Sequence, residues 1–257
     1  MSLTQELTAN KLKVKIYDTR LEMGTGAAAD VAAAIKALLV KQDNVNMIFA
    51  AAPSQNEFLK TLSEEKGIAW NRVNAFHMDE YIGLRKEAPQ SFGQFLKERI
   101  FAKVPFGKVF YMDGNAADPH QECDRYSDLL KQYPADIVCM GIGENGHIAF
   151  NDPHVADFND PVPVKMLDLS PASRQQQVHD GCFATIEEVP AAAITLTIPT
   201  LVSANAVYCM VPGTTKAQAV YHTLRSEIEE QYPSTILRKH ANATLYLDKD
   251  SASELKS

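Results

Sequence analysis

The chain has a single tryptophan and only four cysteines, Cys123, Cys139, Cys182 and Cys209, none in a Cys-x-x-Cys pair. That scarcity and spacing argue against a zinc framework or a disulfide scaffold. No apolar run approaches the ~20 residues of a membrane helix. The opening stretch MSLTQELTANKLKVK has no apolar centre, so no signal peptide is expected. Positive charge is not in excess either: 25 Lys and Arg face 32 Asp and Glu, a formal net charge of −7. Such a balance speaks against nucleic acid or an acidic membrane surface as partner, yet allows one local basic pocket. Repeats, linkers and low-complexity tracts are missing. What is present is 46% hydrophobic residues in 257, enough to bury a full core. The expectation is a reduced, cytoplasmic globular protein forming one domain over 1–257.

Short β-branched apolar runs alternate with helical patterns. Strands are expected near 11–18, 46–52, 73–78, 108–112, 135–141, 192–198, 206–211 and 243–247. Helices are expected near 27–40, 54–65, 91–101, Pro119–Gln132 and 214–229. In the first helix Val31, Ile35, Leu38 and Leu39 share a face. Ser54 and Glu57 have the spacing of a capping box. The run ADIVCMG at 135–141 suits a central parallel strand covered on both sides, and 151–164, with three prolines, reads as loop. The fold class is therefore α/β: an open, mostly parallel, Rossmann-like sheet with helices on both faces. Ligands of such sheets bind at the carboxyl ends of the strands.

Three segments that follow strands carry chemistry. In His77-Met78-Asp79-Glu80-Tyr81 two adjacent acids follow an apolar strand, a costly placement unless the carboxylates are paired or used; a turn or helix cap is the plainer reading. In the stretch 141–152, GIGENGHIAFND, three glycines in six positions let the backbone turn sharply and approach a ligand. His147 stands in that turn with Asn145 and Asp152 close in sequence, and a neighbouring carboxylate fixes an imidazole's tautomer and raises its basicity. The dinucleotide fingerprint is not met, because its third glycine is missing. In Pro212-Gly213-Thr214-Thr215-Lys216 a strand runs into a helix with two hydroxyls and a lysine, the makings of a phosphate seat. His120 and His154 lie in polar surroundings with no second ligand at metal spacing.

The segments HMDEYIGL (77–84), DGNAAD (113–118), GIGENGHIAFNDP (141–153), LTIPTL (196–201) and PGTTKA (212–217) resemble the glucosamine-6-phosphate deaminase (isomerase) family, in family order and over nearly the whole chain. The related 6-phosphogluconolactonases share the glycine-turn histidine but continue differently after it. The resemblance implies conversion of an aminosugar 6-phosphate to a ketose 6-phosphate plus ammonia, with no metal or redox cofactor. It assigns ring opening to His147, oriented by Asp152 and assisted by Asn145, and the C2-to-C1 proton transfer to Asp79. It places Lys216 on the 6-phosphate, with Ser54, Gly146 and Arg174 as further substrate or phosphate contacts. A homo-oligomer is compatible with it, since relatives can be monomers or larger rings.

Four departures stand out. Asn145 replaces an Asp that many members carry, and Asp152 replaces the usual Glu, one methylene longer. Ala50-Ala51-Ala52-Pro53-Ser54 takes the place of a glycine-rich phosphate turn, and Ser173-Arg174-Gln175-Gln176-Gln177 lies where a phosphate-binding arginine is expected. These changes keep two alternatives open beside the deaminase: a lactonase-like hydrolase in which His147 activates water, and a sugar-phosphate sensor that has lost turnover.

Overall fold

The computed structural model describes residues 3–85 and 87–256; Met1, Ser2 and Ser257, the ends of the span expected to form one domain, lie outside the described residues. The strands are β1 (Leu3–Ala9), β2 (Leu12–Tyr17), β3 (Val45–Phe49), β4 (Val73–His77), β5 (Asp79–Tyr81), β6 (Lys108–Phe110), β7 (Ile137–Met140), β8 (Val164–Asp168), β9 (Ala192–Leu196), β10 (Ala206–Val211) and β11 (Ala243–Asp248). The helices are α1 (Arg20–Leu39), α2 (Asn56–Glu64), α3 (Phe92–Leu96), α4 (Pro119–Gln132), α5 (Pro171–His179), α6 (Ile198–Val202) and α7 (Ala217–Arg225). Eight strands form one sheet in the order β1-β2-β11-β10-β7-β3-β4-β6, parallel throughout except for the β1–β2 hairpin. Strands β5, β9 and β8 make a second, antiparallel sheet. The mostly parallel α/β sheet is as expected.

Alternation along the central strands builds a core on each side. Met47 and Phe49 of β3 and Ile137 and Cys139 of β7 pack with α1, α2 and α3. Ile48, Val138 and Met140 face the other way, with α4, α6 and α7. A period of two on a strand covered on both faces explains why these runs read as almost continuously apolar. Among the described residues no helix is long and apolar enough to cross a membrane.

Several boundaries differ from the sequence expectation. Pro53–Gln55 forms a 3-10 turn, and α2 starts at Asn56 behind the cap position Gln55, which makes no side-chain cap. The capping box of Ser54 and Glu57 is therefore not made. The helix from 91 onward widens into a π-type turn over Lys97–Phe101. The last helix ends at Arg225, where Ser226 turns extended, rather than near 229. Strand β1 is largely exposed at the sheet edge and carries no apolar alternation, and β8 sits at the end of the proline-rich loop; neither has a clear sequence signal.

Where β4 ends, the chain passes from one sheet to the other. Met78 donates its N–H to Phe49 O at the end of β3 (3.2 Å) and accepts at its carbonyl from Leu196 N of β9 (2.8 Å). Glu80 is buried and turned toward α3. Its carboxylate accepts from the N–H groups of Tyr81 (2.9 Å), Phe92 (3.0 Å) and Gly93 (2.9 Å) and from Ser91 Oγ (2.8 Å). The cap reading thus holds for Glu80, which satisfies the first turn of α3 from a neighbouring strand. Glu80→Ala would leave three N–H groups without that acceptor. At ~1–3 kcal/mol for each buried unpaired donor, urea unfolding is expected to show a loss of at least ~3 kcal/mol.

Candidate active site

A cavity of about 240 Å³ opens at the carboxyl ends of the parallel strands. Its lining comes from the turns after β3 (Ala50–Ser54), β7 (Gly141–Gly143) and β10 (Pro212–Lys216), together with Asp79, His147 and one face of α5. Asp79, His147, Ser54 and Lys216 are brought together on this one cavity.

Strand β9 places the two principal side chains. Asp79 pairs with Thr195, and Thr195 Oγ1 accepts from Phe150 N at 3.1 Å. Asn151 Nδ2 donates to Leu196 O (2.9 Å) and to Ile148 O (3.0 Å). One strand therefore anchors both the acid and the loop that bears the histidine. In that loop Gly146 has φ +86° and Ala149 has φ +49°. The second is a strained conformation for a residue with a Cβ, of the kind that clusters at functional sites. A Cβ on Gly143 would fall 2.1 Å from His147 Cε1, so the imidazole lies directly over a position only glycine can occupy.

The imidazole is held by three groups. His147 Nδ1 lies 2.8 Å from Asn145 Oδ1 and 3.3 Å from Asp152 Oδ1. Asn145 Nδ2 donates to Asp152 Oδ1 (2.7 Å), which orients the amide oxygen toward the ring. Ser173 Oγ also lies 3.3 Å from Nδ1, but its proton goes to Asp152, so every neighbour of Nδ1 accepts; Nδ1 carries the proton and Nε2 is left without a partner among the described residues. Ser173 Oγ lies 2.8 Å from each oxygen of Asp152, which is itself fully buried. The shorter Asp152 thus reaches His147, at a longer distance than Asn145 does. Burial pushes the Asp152 carboxyl up, but bonds and charge from His147, with Asn145 and Ser173, outweigh it and hold it at about 2. Its stabilising contribution is present above the ordinary carboxylate range and is lost as pH falls toward 2.

Asp79 has the opposite environment. It is buried, and its carboxylate has no hydrogen-bond partner among the described residues. Desolvation, with the charge of Glu80 next to it, raises its pKa well above the usual range. Its backbone is fixed by His77, which sequence reading passed over. His77 Nε2 accepts from Met112 N (2.9 Å), so Nδ1 is the protonated nitrogen and donates to Asp79 O (2.8 Å). Tyr126 Oη in turn accepts from His77 N (3.0 Å) and donates to His77 O (2.9 Å). Burial lowers the His77 pKa, which suits a neutral ring serving as a spacer.

At the other end Lys216 is 5% exposed and has no acceptor within hydrogen-bond reach among the described residues. Burial lowers its pKa, opposed by Asp180 and Glu144. Ser54 Oγ accepts from Gln55 Nε2 (3.1 Å), leaving its own proton to donate. Two expected contacts lie outside this lining. Gly146 is not in the lining; its N–H is taken by Gly143 O (3.0 Å), and its role is the turn itself. Arg174 is also outside the lining, and Nη2 donates to Ile186 O (2.6 Å) and Val189 O (3.0 Å). The cause is helical phase. Ser173, Gln176, Gln177 and Asp180 recur at three- and four-residue steps and face the site, whereas Arg174 falls on the other side of α5. Gln176 Oε1 accepts from Glu144 N (2.8 Å), while the buried Gln177 amide has no partner among the described residues. The cavity also takes in Arg20, the first residue of α1.

Among the described residues no three His, Cys, Asp or Glu side chains group as a metal site requires. The cysteines are free, with Cys123 and Cys182 pushed up to about 11 by burial, so neither is a ready nucleophile. His240 is tied to Ala204 O (2.9 Å) and Asn242 N (3.0 Å) and so belongs to a turn.

A desolvated carboxylate and a tethered imidazole thus share one cavity at the strand ends of an α/β fold. A family model of glucosamine-6-phosphate isomerases/6-phosphogluconolactonases matches residues 18–246, and the chain belongs to that family. It is 38% identical over 183 residues to a glucosamine-6-phosphate deaminase of Exiguobacterium sp., covering 71% of this chain and 70% of that one. To the glucosamine-6-phosphate deaminase of Streptococcus sanguinis it is 34% identical over 207 residues, covering 80% and 86%. Among solved structures, a monomeric glucosamine-6-phosphate deaminase superposes with a TM-score of 0.86 at 28% identity, covering 94% of this chain and 99% of that one. The 6-phosphogluconolactonase of Thermotoga maritima shares the fold, with a TM-score of 0.74 at 20% identity and coverage of 92% and 99%.

The raised Asp79 pKa has a consequence for stability. Between the ordinary carboxylate pKa and the raised one, the unfolded chain has lost a proton that the native chain keeps, so stability falls as pH rises. Asp79→Asn removes this cost. Its thermal midpoint is expected to exceed that of the unaltered chain at pH 7, by ~2–4 °C for each ~1 kcal/mol relieved. The difference should shrink toward pH 4, which thermal melts at the two pH values will show.

Proposed function

We propose that the chain acts as a single-domain aminosugar-6-phosphate deaminase/isomerase, converting glucosamine 6-phosphate or its galactosamine epimer to the ketose 6-phosphate and ammonia. The observation that carries this reading is the pairing of Asp79 and His147 on one cavity, the first desolvated and unpartnered, the second with Nε2 free. Deaminase relatives at 34–38% identity support the substrate class.

The chemistry follows from the residues. The sugar ring must open, and His147 Nε2 takes the anomeric hydroxyl proton and returns it to the ring oxygen. Asn145, Asp152 and Ser173 hold the imidazole in that tautomer, and Asp152 supports the imidazolium while it lasts. Asp79 then removes the C2 proton and delivers it to C1. A carboxylate stripped of water and of hydrogen-bond donors is a stronger base than a solvated one, the direction in which burial and Glu80 shift Asp79. The enolamine becomes a C2 iminium, water adds there, and ammonia leaves. Lys216, an ammonium without a partner, and Ser54 receive the 6-phosphate. Lactone hydrolysis would employ His147 but gives the Asp79 carboxylate no proton to move, so the deaminase reading uses more of the site. The four free thiols suit a reducing, cytoplasmic setting.

The test is release of ammonia from glucosamine 6-phosphate and galactosamine 6-phosphate. Turnover of at least one is expected; none at high enzyme concentration, with ligand-induced thermal stabilisation retained, would favour a sensor. Asp79→Asn should lower turnover by ~10²- to 10⁴-fold, the range of a lost general base, with substrate binding largely intact. Near-normal turnover in that variant would remove Asp79 from the role of base.

A further inference from the structure

A phosphate monoester is close to a dianion at neutral pH, and the protein that must receive it carries a net charge of −7. The cation expected from sequence, Arg174, is spent on two backbone carbonyls outside the cavity. Lys216 alone is opposed by Asp180, which shares the lining. The cavity holds one other cation, Arg20. It follows β2 at the carboxyl edge of the sheet, where ligands of parallel sheets bind.

The guanidinium of Arg20 is held in place without being used up. Nη2 donates to Pro53 O, the carbonyl just before Ser54. Nε lies 2.8 Å from Glu57 Oε2, but the contact is an ion pair without the direction of a hydrogen bond. Nη1 has no partner among the described residues. Glu57 and Pro53 therefore hold a planar donor fork beside the turn that replaces the glycine-rich phosphate loop, with Nη1 still able to donate.

We propose that Arg20 is the guanidinium of the phosphate subsite, binding the sugar's phosphate monoester together with Lys216 and Ser54. The inference rests on the reading of the substrate as a sugar phosphate. It supplies the second cation that the displaced Arg174 leaves missing, and it assigns a task to the Ala50–Ser54 turn: lacking glycines that would let the main chain wrap the anion, the turn offers Pro53 O as a rest for a side chain that does so. Arginine suits this duty because its fork matches two phosphate oxygens at once.

The experiment is calorimetric titration with glucitol 6-phosphate, an open-chain sugar phosphate with neither the C1 carbonyl nor the C2 amine, so that it cannot react. Arg20→Gln is expected to weaken its binding ~10- to 100-fold, the loss typical of a hydrogen bond to a charged group. Arg174→Gln should bind it within about threefold of the unaltered chain. Glu57→Gln separates binding from architecture, since it breaks the same ion pair but leaves the guanidinium and its bond to Pro53 O; it should lose clearly less affinity than Arg20→Gln. In turnover, Arg20→Gln should raise KM more than it lowers kcat. Binding by Arg20→Gln within twofold of the unaltered chain would overturn the assignment. So would equal losses in Arg20→Gln and Glu57→Gln, which would reduce Arg20 to a strut between α1 and α2. The two readings can fail separately. If no aminosugar phosphate is turned over yet glucitol 6-phosphate binding depends on Arg20, the proposed reaction falls and this subsite stands. If turnover is present and Arg20→Gln binds normally, only the subsite falls.

Discussion

Two carboxylates are buried side by side at the point where the chain leaves the large sheet for the small one, and the rest of the site is arranged around that cost. Asp79 and Glu80 sit on β5 and so point to opposite faces. Glu80 is given four donors by α3 and its own strand. Asp79 is given none among the described residues, and it lines the cavity. A group left in that state destabilises the fold on its own account. It persists because β9 pairs with its backbone and His77 bonds its carbonyl, so the position is over-determined by neighbours that do not touch the carboxylate. This is the stability–activity trade expected of a base tuned by desolvation.

The imidazole on the same cavity is tuned by the opposite means. Asp152 is as buried as Asp79, but His147, Asn145 and Ser173 surround it, and its pKa falls where that of Asp79 rises. In the proposed reaction two acids of one residue type are thereby separated into a base that moves a proton and a fixed charge that orients a ring. Ser173 and Asn145 also show how the chain accommodates an aspartate where its relatives' pattern has the longer side chain. The carboxylate is reached by an amide on one side and a hydroxyl on the other, and the amide carries the shorter contact to the ring. At the other end of the cavity α1 supplies Arg20 beside the glycine-free turn Ala50–Ser54.

Much of this was legible in the residues. The apolar runs at 135–141 and 206–211 announced central strands because burial on both faces leaves no polar alternation to hide them. Asp79, His147, Asn145, Asp152, Ser54 and Lys216 all follow strands, and the structure gathers all six, four in the lining and two against the imidazole. What stayed hidden depended on partners distant in sequence. Glu57 looks like half of a capping box, but Pro53 tightens the preceding turn and Arg20, 37 positions upstream by residue number, takes the carboxylate. Arg174 carried the expected chemistry but the wrong helical phase, and the periodic set Ser173, Gln176, Gln177 and Asp180 was the better signal. His77 stands in a segment read as chemical, but its own role stayed hidden, because Met112 N, which fixes its tautomer, is brought near only by the fold.

The central claim is that Asp79 is held desolvated and is thereby made a base. The most direct measurement is the titration of its side-chain carboxyl by carbon-13 NMR on aspartate-labelled protein, with the Asp79→Asn variant assigning the resonance. The account predicts a midpoint well above the ordinary 3.8 for Asp79, together with an Asp152 resonance that stays ionised down to about pH 2. An Asp79 carboxyl that titrates at or below 3.8 would contradict it.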